Sequence, residues 1–251
     1  MAHRLAAKAC ALAIAAVAAL LAPSALAEPS QIMLGPGSAI ALVATAPSPG
    51  HKVEAELCTL TAIGYDDEQR LVGVTAGHCS VTGKMVYPEN VAELGPVGQI
   101  VKVAHDMSLP MTGDAQHAWV EDIDFAVIEF DPDKVVPSPK IRGSGREVAV
   151  TDVGGRPQVG DKVCKVGRTT GYSCGDVTAV QGSAHAAALC ADVGDSGGPV
   201  FSEDGRIVGL VTVVTKNPES TDCGTERGSN IDDVLAEIGP GVGAGFQPFT
   251  G

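Results

Sequence analysis

The chain has 251 residues, 17 basic and 30 acidic side chains for a formal charge of −13, and 31 glycines with 16 prolines. That length suits one large all-β domain or two small ones sharing a cleft, and the glycine and proline content fits a fold rich in tight turns. Such acidity excludes the basic footprint that phosphate binding needs, so no nucleic acid partner is expected.

The N-terminal stretch reads as an export signal. Arg4 and Lys8 precede an apolar run from Ala9 to Leu21 that is too short to span a bilayer as a stable helix. Pro23 ends the run, and Ala25-Leu26-Ala27 has the small-x-small pattern of a cleavage site. Residues 1–27 are therefore expected to be a signal peptide, cut after Ala27. The rival, an N-terminal membrane anchor, lacks a stop-transfer flank. Cys10 lies inside the apolar run and leaves with the signal. The protein is expected to be secreted, to the exterior or the cell envelope, as a monomer with no membrane span.

Six cysteines remain: Cys58, Cys79, Cys164, Cys174, Cys190 and Cys223. An even count in an exported chain reads as three disulfides, although counting leaves their connectivity open. A zinc site is disfavoured because no cysteine pair has metal-ligand spacing and no paired histidines accompany them. No metal and no cofactor is expected.

Short apolar, β-branched segments recur between turn signals: Gln99–Val103, Phe125–Phe130, Val148–Val153, Lys162–Val166 and Ile207–Thr215. This predicts an all-β sandwich or barrel. The acidic run Asp66-Asp67-Glu68 reads as a solvated hairpin tip, since the alternating carboxylates and central glycine of a calcium loop are missing. Prolines and glycines cluster in Asp131–Gly145 and place a boundary there, giving an N-terminal half 28–137 and a C-terminal half 138–251. One helix is predicted late: Asn230 can cap it, Ile231, Val234, Leu235 and Ile238 follow helical spacing, and Gly239-Pro240 stops it. The glycine-rich tail beyond has no periodicity that decides between packing and fraying.

Chemistry concentrates in three segments. Val74-Thr75-Ala76-Gly77-His78-Cys79 comes first, Asp124-Phe125-Ala126-Val127-Ile128 second, and Gly194-Asp195-Ser196-Gly197-Gly198-Pro199 third. A serine hydroxyl is a poor nucleophile and needs a base within hydrogen-bond reach. His78 is the expected base, Asp124 the acid that orients it, and Ser196 the nucleophile. Asp122 is the rival acid. Asp124 is preferred because unbroken apolar residues follow it, which suits a strand that buries the carboxylate. The backbone N–H groups of Gly194 and Ser196 are the candidate oxyanion donors. His51, His105, His117 and His185 carry no such motif and are expected to be structural or exposed.

These segments, in the order His, Asp, Ser, resemble the signatures of chymotrypsin-like serine proteases. Within that group the run Cys164-Lys165-Val166-Gly167-Arg168-Thr169-Thr170-Gly171, then Cys174-Gly175, and Cys190 six positions before Ser196 resemble the bacterial streptogrisin-like branch. The resemblance covers nearly the whole exported chain. It implies a trypsin-like fold of two six-stranded antiparallel β-barrels with a short C-terminal helix, with His78 and Asp124 on the first barrel and Ser196 and the substrate pocket on the second. It implies the pairs Cys58–Cys79, Cys164–Cys174 and Cys190–Cys223. It also implies a buried ion pair between Lys165 and Asp195, in place of an exposed lysine. The function implied is an endopeptidase acting on protein or peptide substrates.

Two departures stand out. Thr212, Val213 and Val214 align with the substrate-binding strand, where glycines are common; valines there narrow the pocket toward small apolar side chains, with Glu226 and Arg227 bringing charge near its floor. No long pro-segment is evident, since Ile32–Ile40 already resembles the start of the mature fold. These features keep open a weakly active or non-catalytic binding protein, and a small-acyl esterase would share the mechanism.

Overall fold

The computed structural model describes residues 31–48, 51–105, 123–215 and 222–251. The expected signal peptide, Asp122, His117 and most of the loop after Thr215 lie outside them. Among the described residues no helix is long and apolar enough to cross a membrane.

In chain order the first half contributes β1 (Ile32–Leu34), β2 (Ala39–Val43), β3 (Ala55–Thr59), β4 (Ala62–Tyr65), β5 (Leu71–Thr75), β6 (Met85–Pro88), β7 (Gly98–Ala104), β8 (Phe125–Phe130) and β9 (Val135–Pro137). The second half contributes β10 (Lys140–Gly143), β11 (Arg146–Ala149), β12 (Asp152–Val153), β13 (Lys162–Gly167), β14 (Gly171–Gln181), β15 (Ala184–Ala191), β16 (Pro199–Ser202), β17 (Arg206–Thr215) and β18 (Gly224–Asn230), then helix α1 (Ile231–Ile238) and β19 (Gln247–Pro248). The segment Val148–Val153 is not one strand: it breaks at Val150 and Thr151 between β11 and β12.

In the second half, β17, β16, β13, β14, β15 and β18 pair in that order, and β18 pairs back to β17. This closes a six-stranded antiparallel barrel, which leaves no free edge. Val163, Val177, Ala187, Leu189, Ala191, Val200, Val208 and Val211 fill it. Register shifts at Val177/Ala179, Ala187/Cys190, Val200/Phe201 and Val211/Val213 supply the local bending that closure requires.

In the first half β3 and β4 are separated only by Leu60 and Thr61, and β3 pairs with β2 while β4 pairs with β5. The sheet of this half has eight strands in the order β19-β4-β5-β8-β7-β6-β2-β3, and among the described residues no ladder joins its two ends. The outer edge of β4 is occupied by β19, with Pro248 opposite Gly64. A Cβ on Gly64 would stand 1.9 Å from the Gln247 carbonyl oxygen, so only bare backbone admits the added strand. The curled ends are instead joined by the chain itself. Between β3 and β4 the amide of Leu60 donates to Ser38 O and that of Thr61 to Val74 O. Two short pairings, β1 with β9 and β12 with β17, are parallel.

The tail packs on the first half. Besides β19, Asp67 N–H donates to Ala244 O, Arg70 donates to Gly241 O, and Tyr65 meets Phe249 edge-on. Asp66 is therefore not a solvated tip. It is 1% exposed and accepts hydrogen bonds from the amides of Glu68, Arg70 and Gly243 and from Arg70 Nε. Asp67 and Glu68 are the exposed pair.

Helix α1 starts and stops where expected, and Gly239 ends it at φ 60°. Asn230 precedes it without a side-chain cap, because its carboxamide turns into the barrel toward His185 Nδ1 at 3.1 Å. Ile231, Val234 and Ile238 bury against the first core, which also takes in Val127, Phe246 and the second-half residues Val166, Phe201 and Leu210. The two halves thus share apolar packing along their seam, where the candidate site lies.

Candidate active site

β5 delivers the first motif. It ends at Thr75 and runs into a tight 3-10 turn, Gly77–Ser80, that carries His78. A Cβ on Gly77 would meet Ala104 O at 2.5 Å, Phe125 O at 2.7 Å and Asp124 Oδ1 at 2.8 Å, so the bare residue lets the turn sit against β7 and β8. The Cys58–Cys79 disulfide ties the turn to β3. Asp124 stands just before β8, and the pairing of Thr75 with Ala126 brings its carboxylate under the turn.

Asp124 Oδ2 lies 2.6 Å from His78 Nδ1, and Oδ1 accepts the His78 backbone N–H at 2.9 Å. The Asp124 amide donates to Ser229 Oγ on β18 at 3.2 Å. His78 is buried, at 2% exposure. Burial alone would raise the Asp124 pKa, but hydrogen bonds and charge from His105 and His78 outweigh it and hold the carboxyl well below the usual range. His105 is the residue that motif reasoning missed: its Nδ1 stands 3.3 Å from Asp124 Oδ1. The available signal was register. Ala104 pairs with Phe125, so the next residue of β7's exit falls beside the residue preceding β8.

The Ser196 turn is hung on the first half. Thr59 N–H donates to Ser196 O at 2.8 Å, Thr59 Oγ1 to Gly194 O at 3.0 Å, and Thr61 Oγ1 to Gly197 O at 2.6 Å. Cys79, the neighbour of His78, has its sulfur 4.0 Å from Ser196 O. Gly194 and Gly197 have φ of 96° and 80°, conformations that side chains disfavour. Ser196 is half-buried. Among the described residues, neither the Gly194 nor the Ser196 N–H has a protein acceptor.

Asp195 anchors the same turn from below. Its Oδ2 lies 2.8 Å from Lys165 Nζ, with both side chains 0% exposed. Oδ1 accepts the amides of Thr169 and Thr170, and Oδ2 accepts the Thr170 hydroxyl and the Asp192 amide. Burial pushes the Lys165 pKa down despite the opposing aspartate. For Asp195 burial pulls upward, but the bonds from Lys165 and Thr170 prevail and lower it. Gly167 makes room, since a Cβ there would fall 2.2 Å from Asp195 Oδ1.

Cys164 pairs with Cys174 and Cys190 with Cys223. Thr212, Val213 and Val214 sit on β17, with Val213 opposite Arg227 and Val214 opposite Glu226. Thr212 is buried and donates to Arg227 O, while the two valines are half-buried. Glu226 points into the barrel, its Oε1 3.4 Å from His185 Nε2, both side chains 0% exposed. His185 is thus a core residue. Among the described residues the cluster of metal-ligand types is Cys58, His78 and Cys79, and its two sulfurs are bonded to each other, which leaves no thiolate to bind an ion.

The trypsin family model matches residues 56–226. No curated protein matches the chain in sequence. Solved structures that resemble it include Thermobifida fusca protease A, at TM-score 0.60 and 20% identity over 88% of this chain and 100% of that one. Cellulomonas bogoriensis chymotrypsin gives TM-score 0.59 and 21% identity over 88% and 100%, and alpha-lytic protease homolog N4 gives 0.58 and 22% over 83% and 98%. These likenesses are to bacterial chymotrypsin-like proteases and establish the fold. With the family model spanning more than half of its length, this chain belongs to the trypsin family of serine-type peptidases.

Proposed function

We propose that the protein is a secreted serine endopeptidase that cleaves peptide bonds through an acyl-enzyme on Ser196. The observation that carries this is the 2.6 Å contact between Asp124 and His78 Nδ1, alongside a Ser196 turn whose two amides have no protein acceptor among the described residues. His78 Nε2 takes the Ser196 hydroxyl proton as Oγ bonds to the substrate carbonyl carbon. The carbonyl π electrons move to oxygen, and the Gly194 and Ser196 N–H groups bind that oxyanion. As the C–N bond breaks, His78 returns the proton to the leaving amine. Water then repeats the sequence on the acyl-enzyme and frees the acid. Asp124 holds the His78 tautomer and stabilises the imidazolium throughout. The Lys165–Asp195 pair keeps the donors aimed.

Half-buried Val213 and Val214 at the pocket mouth favour small apolar side chains. An activated ester assayed by stopped flow should show a burst of about one leaving group per chain, absent in Ser196→Ala. A peptide panel varied at the residue before the cleaved bond should favour alanine or valine. No burst removes the acyl-enzyme, and a preference for arginine, lysine or phenylalanine removes the pocket assignment.

A further inference from the structure

We infer that His105 is a positioning residue for Asp124, a second imidazole that holds carboxylate oxygen Oδ1 while His78 uses Oδ2. The inference rests on the serine-peptidase mechanism proposed above, in which Asp124 orients the base. Three observations carry it. His105 Nδ1 lies 3.3 Å from Asp124 Oδ1, and its side chain is only 12% exposed. The His105 and His78 rings stand edge to face, 5.9 Å between centroids and 60° between planes. The β7–β8 ladder, with Ala104 opposite Phe125, fixes where His105 leaves the strand.

Between them the two histidines and one backbone amide engage both carboxylate oxygens. Without His105, Oδ1 keeps only the His78 amide, and the carboxylate plane is less well held against the imidazole it must orient. An imidazole in this place can carry a positive charge beside the Asp124 carboxylate, which alanine and asparagine cannot. Asp124 and His78 are titratable groups that face His105. Lys102, on the same strand, turns away to the Ile238 carbonyl.

The test compares His105→Ala and His105→Asn with the unmodified protein by kcat and KM against pH, together with NMR titration of the His78 ring. Asparagine can present an N–H near the position of Nδ1 but does not titrate. In His105→Ala, kcat should fall about tenfold, the scale of one hydrogen bond to a charged group, with KM within about twofold. The His78 pKa and the acidic limb of kcat should both move to higher pH. His105→Asn should recover kcat to within about threefold while its acidic limb stays displaced upward, because the N–H returns and the charge does not. Unchanged His78 titration in both variants, or His105→Asn as impaired in kcat as His105→Ala, would overturn the inference. If the unmodified protein turns over no peptide, the peptidase assignment fails, and the His78 titration still decides whether His105 couples to it.

Discussion

Lys165 Nζ and Asp195 Oδ2 lie 2.8 Å apart with neither side chain reaching solvent, directly beneath the turn that holds Ser196. Removing one partner of such a pair leaves an uncompensated buried charge and costs about 3–5 kcal/mol. Lys165→Met should therefore be destabilised by about that amount in urea unfolding, and the folded fraction should lose turnover as the Gly194 amide drifts. Lys165→Met combined with Asp195→Leu should recover much of the stability but not the activity, because Thr169, Thr170 and Asp192 would have no carboxylate to hold. Full activity in the single variant would separate this pair from the turn's geometry.

Asp66 sets an acid limit on the fold. Burial raises its pKa, but the amides of Gly243, Arg70 and Glu68 and the Arg70 side chain overcome that and lower it. A carboxyl depressed in the folded state stabilises above its unfolded pKa, and the contribution fades as pH falls toward the folded value. Asp66→Ala should lose about 3 kcal/mol near neutrality and release the tail, so that amide exchange speeds up through 243–249. The gap to the unmodified protein should narrow below the carboxylate range. A gap constant from neutral to strongly acidic pH would contradict the assignment.

His185 makes the opposite prediction. Burial pulls its pKa down, but the charge of Glu226 beside it and the hydrogen bond it makes to Asn230 Oδ1 prevail and raise it. A histidine raised in the folded state stabilises fully below its unfolded pKa, and that contribution is lost as pH climbs through the folded value. Glu226→Gln should abolish this alkaline loss and lower stability most on the acid side, by about 3–5 kcal/mol if the imidazolium is left unpaired in the barrel. Thermal melts at a series of pH values check it. A parallel fall of both proteins with rising pH would refute it.

Several strands and the motif runs were legible because their signals are local. Phe125–Phe130 forms a strand buried along almost its whole length, as its nearly unbroken apolar run suggests, and the runs around His78 and Ser196 need only adjacent residues to be recognised. Strands β14 and β15 were not read. Their faces carry Ser173, Asp176, Thr178 and Gln181 or a string of alanines, so apolar alternation is too weak to mark them. β19 was invisible because two residues of a glycine-rich tail become a strand only where Gly64 lets them approach. Asp66 looked solvated because the partner that ties it to the tail, Gly243, is 177 positions away. His105 was passed over for the same reason: its meaning lies in the register between β7 and β8.

The proposed mechanism stands or falls on Ser196 as the activated nucleophile. Incubation with a fluorophosphonate probe, followed by peptide mapping, tests it most directly. A single adduct is expected on Ser196 in the unmodified protein, at least about a hundredfold slower labelling in His78→Ala, and none at that site in Ser196→Ala. Labelling that ignores the loss of His78, or an adduct on any other side chain, would contradict it.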